Sequence, residues 1–344
     1  MTSASTASPP AAALSTVQPA VAAEARSGLL AHPRTLSAWL FYDQRGSELF
    51  EQITALPEYF LTRTERSIFA ANASDILDIA AAGQTLTLLE LGAGTAAKTG
   101  ILLSAAVRRQ GGVLYQPVDV SPSALAEATA NIEASIPGVT VRPQVANYTA
   151  EPLTISRPRD AATPADARVL ALYIGSSIGN FAPSDAVSLL SNLRAQLRAG
   201  DCLLLGVDLA PGPHKSVANL LSAYDDAAGV TAAFNRNILT RLNRDLGADF
   251  NPACFAHRAL WNADHSRIEM HLESLTNQQV HIPANAAGPA ITFALQPGET
   301  IHTENSYKFT EASVDALLKP AGFAPIRTWQ DPQALFAVTL ATAA

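Results

Sequence analysis

The chain has 344 residues, 48% of them hydrophobic, enough to bury one large core or two moderate ones. Its formal net charge of -7, with no run of Lys or Arg, argues against a phosphate-neutralising surface, so nucleic acid is not an expected partner. Neither Cys202 nor Cys254 stands in a metal-ligand spacing, no apolar stretch reaches membrane-spanning length, and the N-terminus lacks the basic start and apolar core of a signal peptide. A soluble, cytoplasmic, monomeric protein without a membrane partner is expected.

Residues 1–25 are dominated by Ala, Ser, Thr and Pro without a persistent period, and this composition predicts a disordered tail. A helical pattern then runs from Glu65 through Ile68, Phe69, Ile76, Leu77 and Ile79. After the turn at Gly83 the pattern predicts strand 85–91, helix 97–108, strand 113–120, helix 123–136 and strand 139–145. Strand 169–174, helix 184–197 closing at Gly200, and strand 202–207 follow. Repeated βα units of this kind build a parallel sheet with helices on both faces. Beyond Asp208 the pattern changes to helices within 215–246 and alternating strands such as 267–274, which reads as an inserted α+β domain. Residues 303–344 return to strand, helix, strand, strand, including 336–340, and would complete the sheet with an antiparallel edge pair. The expected division is a sheet domain of 66–212 plus 303–344 and a second domain of 26–65 plus 213–302.

The segment LLELGAGTAAKT places Glu90 at a strand end, Gly92 and Gly94 in a turn, and Thr95 and Lys98 at the opening of a helix. Small residues let a ligand approach the backbone, and a helix N-terminus offers unpaired N–H groups. Gly92, Gly94 and Ala97 also satisfy the dinucleotide pattern, so the turn alone suits NAD as well as S-adenosylmethionine, and a tight turn with no ligand is the plain alternative. Its neighbours add chemistry. Asp119 ends the next strand, where a carboxylate accepts from both ribose hydroxyls, and Asn147 and Tyr148 end the third, beside an adenine position. Lys98 suits the carboxylate of a methionine moiety, although a lone Lys is usually a solvated charge.

The chain at this point resembles the S-adenosylmethionine-dependent histidine Nα-methyltransferases of the ergothioneine pathway. Eight ordered blocks carry the resemblance: FYDQRGSELFEQIT at 41–54, LPEYFLTRTE at 56–65, ELGAGTAAKT at 90–99, IGNF at 178–181, AYDDAAGVTAAFNRNIL at 223–239, LNRDLGADF at 242–250, RIEMHL at 267–272 and TENSYKF at 303–309. It implies a Rossmann-like class I methyltransferase sheet with an inserted substrate domain, S-adenosylmethionine as cofactor, and three methylations of histidine to give hercynine. Tyr59, Gly92, Lys98, Asp119, Asn147 and Tyr148 fall on its cofactor positions. Tyr42, Gly175 and Ser177 fall on the positions that orient the amine. Asn180, Tyr224, Thr231, Phe234, Met270, Glu304 and Ser306 fall on the remaining substrate positions. Asn147–Tyr148 stands where the family usually has Asp-Phe, and Ser177 where relatives commonly have Thr.

Each residue also has a plainer reading. Asn180 suits a turn, Glu304 an exposed strand position, and Met270 and Phe234 an ordinary core. The functional reading pairs Asn180 with Tyr224 on the substrate carboxylate through neutral donors, and Glu304 with Ser306, two residues on, against the two imidazole nitrogens. His257, His265 and His271 come closest among the histidines, but their spacing fits no metal motif, so no metal is assigned. Three rivals stay open: Nα-methylation of another amino acid such as tryptophan, an NAD-linked oxidoreductase, for which no hydride-transfer His or Lys constellation is visible, and a cofactor-binding module without catalysis, which the matched substrate positions disfavour.

Overall fold

Leu86–Leu91 is a run of six residues in which every side chain is buried, the pattern of a central parallel strand covered on both faces. We label it β1. Val113–Asp119 (β2), Val139–Val141 (β3), Gln144–Val145 (β4), Arg168–Tyr173 (β5), Cys202–Asp208 (β6), Phe323–Gln330 (β7) and Phe336–Ala343 (β8) complete an eight-stranded sheet in the order β7-β8-β6-β5-β1-β2-β3, with β4 also on β2. The computed structural model describes residues 11–94, 96, 98–149, 151–158, 166–285 and 288–344. Thr95 and Ala97 of the glycine turn lie outside the described residues.

Strands β1 to β6 run parallel where they pair, and β8 pairs β6 and β7 antiparallel, as the sequence order of the last elements predicts. The chain winds from β1 outward to β2 and β3, then crosses to β5 and β6 on the other side. The carboxyl ends of β1 and β5 therefore flank a topological switch point, where α/β sheets bind ligands. The fold is the Rossmann-like class expected. The single strand predicted over 139–145 is two short ones, because Pro143 between them has no N–H to give the ladder.

Helices Leu61–Ala81, Gly100–Gln110, Pro122–Ser135, Pro183–Gln196 and Glu311–Leu318 flank the strands in sequence. Leu189, Leu190 and Leu193 of the fourth share one core with Leu89 and Leu91 of β1, Val169 and Ala171 of β5, and Leu203 and Leu205 of β6. Burying each such Leu contributes roughly 1.5 to 3 kcal/mol. Ser121 caps the third helix by accepting the Ala124 N–H, with Pro122 at its first turn.

Two compact units divide the chain. The larger comprises residues 50–226, 261–268 and 305–344, and the smaller 227–260, 269–304 and the described residues up to Leu49. The sequence boundaries put 50–65, 213–226 and 261–268 in the second domain, but these belong to the larger unit. Helix Leu61–Ala81 explains the first: its buried face runs unbroken through Leu61, Glu65, Ile68 and Phe69, so no boundary falls at 65. The smaller unit holds helices Ala11–Leu30 and Val230–Leu246, a hairpin of Gln278–Ile282 with Ile291–Leu295, and most of a four-stranded sheet in the order Arg34–Thr35, Thr300–Tyr307, Arg267–Ser274, Phe255–Asn262.

The predicted tail is corrected in part. Residues 1–10 lie outside the described residues, but Ala11–Leu30 is a helix in which Val21, Ala22, Ala25 and Leu29 are fully buried. Alanine is the best helix former, and Arg26 ties the helix to the carbonyls of Pro283 and Pro289, so ordering is repaid by tertiary contacts that composition does not reveal. No helix among the described residues is long and apolar enough to cross a membrane.

At the end of β1 the buried Glu90 carboxylate accepts from both Tyr115 of β2 and, at 2.7 Å, Thr99 beyond the glycine turn, tying turn to sheet. Burial pushes its pKa up to about 7, against those hydrogen bonds and the Lys98 charge that favour ionisation. Between the ordinary value near 4.5 and about 7 the folded chain keeps a proton that the unfolded chain has released. Stability is therefore expected to fall as pH rises through that window, and Glu90→Gln to flatten the dependence. Thermal melts from pH 4.5 to 8 check this, and a wild-type Tm that rises across the interval contradicts it.

Candidate active site

Four strand ends carry the candidate chemistry of the larger unit. β1 runs into Gly92 and Gly94, both at positive φ (66° and 52°), a conformation that favours glycine. At the end of β2, Asp119 accepts the Gly94 N–H on Oδ2 at 3.1 Å and the Ser121 N–H on Oδ1 at 2.9 Å. A carboxylate has about four acceptor sites, so two such bonds fix Asp119 and leave it able to accept two hydroxyls. Beyond β4, Tyr148 packs edge-on against Tyr173 at 5.9 Å, and its hydroxyl stands 3.1 Å from where a Cβ on Gly92 would lie. Burial and the Asp119 charge push the Tyr148 phenol up to about 12, so it stays a neutral donor. Asn147 is turned to local use: its Oδ1 accepts the Thr149 hydroxyl at 2.6 Å and its N–H at 3.2 Å, so it must rotate to serve an adenine amino group.

β5 runs on into Gly175 (φ 77°) and Ser176 (φ 58°), followed by a 3-10 turn, Ser177–Asn180. The Ser177 hydroxyl donates to the Ile174 carbonyl at 3.2 Å, and Asn180 is half-buried at the end of the turn. Glu65, which the sequence reading left without a role, joins these parts. It is fully buried on helix Leu61–Ala81, accepts the Gly175 N–H at 2.9 Å and pairs with Lys98 Nζ at 2.7 Å. Room for it comes from Gly206 of β6, where a Cβ would lie 2.1 Å from Glu65 Oε1. An ammonium has three donors, so Lys98 can serve a second carboxylate beside Glu65.

Further along the same unit, Tyr59 lies edge-on to Tyr224, ring centroids 6.2 Å apart. The Tyr224 hydroxyl meets Ser306 Oγ at 2.7 Å, and both accept from the buried Lys308. In the smaller unit Tyr42 lies edge-on to Phe234 at 5.9 Å, with Phe41 packed on Phe234 at 4.5 Å. Asp43 anchors that corner. Burial raises its pKa, but hydrogen bonds from the Gly46 N–H, Arg244 and Asn237 outweigh this and hold it below the ordinary value. Thr231 and Met270 are buried, Met270 with its carbonyl accepting from Thr303, while Glu304 sits on the half-exposed positions of its strand.

The structure also groups Glu269, His271 and His302 of the smaller unit, with one ligand atom from each within 4.8 Å of the others. The residues come from two strands, which is why spacing along the chain missed them. The two imidazoles are stacked at 4.8 Å and 29°, an arrangement that sets their in-plane lone pairs side by side instead of converging on one point. His302 Nε2 is bound to the Glu304 carbonyl, 2.9 Å away.

Residues 21–343 match the sequence model of a family described as histidine-specific, S-adenosylmethionine-dependent methyltransferases. The chain belongs to that family. It is 42% identical over 320 residues to a histidine N-alpha-methyltransferase of Mycolicibacterium smegmatis, covering 92% of this chain and 93% of that one. A histidine N-alpha-methyltransferase of Mycobacterium tuberculosis is 40% identical over 315 residues, 92% of each chain. An L-tryptophan methyltransferase of Psilocybe serbica is 28% identical over 331 residues, 90% of this chain and 89% of that one.

As a member of this family the protein is an S-adenosylmethionine-dependent methyltransferase. The groups at its strand ends fit that cofactor: among the described residues a Cβ at Gly94 would meet nothing within 4 Å, and Asp119 and Lys98 offer an acceptor and a cation. A test of the Glu65 brace follows from its packing. Gly206→Ala must displace the carboxylate, so cofactor affinity measured by calorimetry is expected to fall about tenfold as the Lys98 and Gly175 contacts are lost. Unchanged affinity in a folded variant would show that Glu65 does not set the turn.

Proposed function

We propose that this enzyme transfers methyl groups from S-adenosylmethionine to the α-amine of L-histidine, three times in succession, to give hercynine in ergothioneine biosynthesis. Identity of 40 to 42% to two histidine N-alpha-methyltransferases over 92% of the chain carries this reading. The cofactor supplies an electrophilic methyl on a sulfonium. In this reading the larger unit holds it: Asp119 accepts from the ribose hydroxyls, Lys98 binds the methionine carboxylate, Tyr59 and Gly92 line it, and Asn147 and Tyr148 flank the adenine. Tyr42 and the segments carrying Thr231, Phe234, Met270 and Glu304 serve the substrate.

Methyl transfer needs alignment more than proton chemistry. An α-amine has a reference pKa near 8, so a useful neutral fraction exists without a strong base. The Gly175 carbonyl and Ser177 hydroxyl accept from the amine and aim its lone pair, with Tyr42 holding a water that receives the proton. Asn180 and Tyr224 bind the substrate carboxylate, and Glu304 and Ser306 bind the imidazole nitrogens. Aromatic faces of Tyr42 and Phe234 tolerate the ammonium that gains methyl groups. The enzyme works as a cytoplasmic monomer on a free amino acid.

Methylation of tryptophan is the second reading, favoured by the relative from Psilocybe serbica. Incubating the protein with S-adenosylmethionine and each of the twenty amino acids, with mass-spectrometric detection, separates the two; three methyl additions on histidine are expected, and turnover of tryptophan alone overturns the proposal. Within a histidine enzyme, Glu304→Ala removes a charge-assisted bond to the ring, so the ratio of kcat/KM for histidine over tryptophan is expected to fall roughly tenfold or more.

A further inference from the structure

Behind Tyr224 and Ser306 lies a charged cluster that no motif announced. Lys308 and Lys215 are both buried and both contact one carboxylate, Asp208, at 2.8 and 2.6 Å. Lys215 also donates to the Leu335 carbonyl at 2.7 Å and lies 5.1 Å above the Phe60 ring. Burial and the neighbouring Lys308 pull the Lys215 pKa down, while Asp208 and, through its field, Asp331 pull it up. Asp331 itself spends its oxygens on the backbone N–H groups of Gln333, Leu335 and Phe336. In direct contact the cluster thus holds two ammonium groups against one carboxylate.

Burying an ion costs several kcal/mol, and a well-paired lysine needs one carboxylate of its own. Lys215 already has Asp208 and a carbonyl. Lys308 shares that carboxylate and turns its remaining donors on two hydroxyls, Tyr224 OH at 2.9 Å and Ser306 Oγ at 2.8 Å, with Nζ 4.5 Å from the Tyr224 ring centroid. Because both oxygens accept from an ammonium and lie 2.7 Å apart, one hydroxyl proton bridges them and the other turns away from Lys308. A ligand atom that meets this pair therefore meets an O–H donor with a cation behind it, the arrangement that recognises an anion or a lone pair.

We propose that Lys308 is a positioning and specificity-determining residue, which reads the α-carboxylate of the amino-acid substrate through the Tyr224 hydroxyl instead of touching it. This rests on the assignment of Tyr224 and Ser306 to the substrate. Lys308→Met keeps an apolar stem of similar length and leaves Asp208 and Lys215 as a balanced pair, so the fold does not depend on the lost charge.

The experiment is calorimetric binding of histidine and of histamine, which lacks the carboxylate, to wild type and Lys308→Met in the presence of S-adenosylhomocysteine. Affinity for histidine is expected to drop about tenfold or more, and affinity for histamine, which keeps the imidazole contact of Ser306 but has no carboxylate for Tyr224, by a severalfold smaller factor, with S-adenosylhomocysteine binding and Tm unchanged or Tm raised. In steady state the loss should lie in KM for histidine, with kcat little altered. Equal losses on both ligands, or no loss on histidine, overturn the inference. If Lys308→Met does not fold, Tyr224→Phe carries the same comparison, since it cuts the relay and leaves the cluster; equal losses there also overturn it. A wild-type protein that neither binds nor methylates histidine refutes the substrate assignment instead, which the histidine arm alone reveals.

Discussion

The ion pair between Glu65 and Lys98 fixes the parts of the larger unit that chemistry requires to be still. Glu65 comes from a helix that precedes the sheet, Lys98 from the turn after β1, and the Gly175 N–H that Glu65 also accepts from the end of β5. One carboxylate thus joins both sides of the switch point. Removing either partner would leave a buried charge unpaired, which costs more than the pair itself contributes. The arrangement is possible only because β6 carries glycine at 206, where any Cβ would occupy the space of the carboxylate oxygen. A helix, two loops and a strand position are therefore committed to one oxygen pair.

Glu90 does related work with opposite electrostatics. It is buried as deeply but faces two hydroxyls, Thr99 and Tyr115, so burial outweighs ionisation and raises its pKa to about 7. Nine residues apart, Glu90 and Thr99 close the glycine turn from below while Asp119 closes it from the side by accepting the Gly94 N–H. The turn backbone donates to the sheet, Gly92 and Ala93 N–H to the Val118 carbonyl and Gly94 N–H to Asp119, so its shape is set by the protein itself. Such preorganisation is what lets a displacement reaction proceed by alignment.

Much of this was legible in the sequence where the signal is local. The buried strands announce themselves as short apolar runs, and the turn at 92–94, the carboxylate at 119 and the edge pair at the C-terminus follow from residue types at fixed offsets. What was not legible depends on distant partners. Glu65 reads as an ordinary polar helix residue until Gly175, 110 positions on, is folded against it. Nothing in the spacing of Lys215 and Lys308 marks them as partners, and only the fold puts Asp208 between them. Glu269, His271 and His302 meet across strands, invisible to spacing along one of them. Helix Ala11–Leu30 was missed for a different reason: low complexity describes the free chain, and the burial of Val21 and Leu29 decides the folded one.

In the proposed reading, the cluster behind Tyr224 also accounts for neutral donors at the substrate carboxylate. A lysine in direct contact with the substrate would attract the carboxylate but stand close to an amine that becomes a permanent cation as methyl groups accumulate. Coulomb repulsion in a poorly screened site is worth several kcal/mol at contact and falls with distance, so each round would oppose the next. Placing Lys308 one hydroxyl further back keeps the hydrogen bond to the carboxylate strong through polarisation of Tyr224 while lengthening the distance between the two cations. Direct ion pairing remains at Lys98, on the side of the site where, in the proposed reading, the methionine carboxylate belongs and the sulfonium loses its charge as the amine gains one.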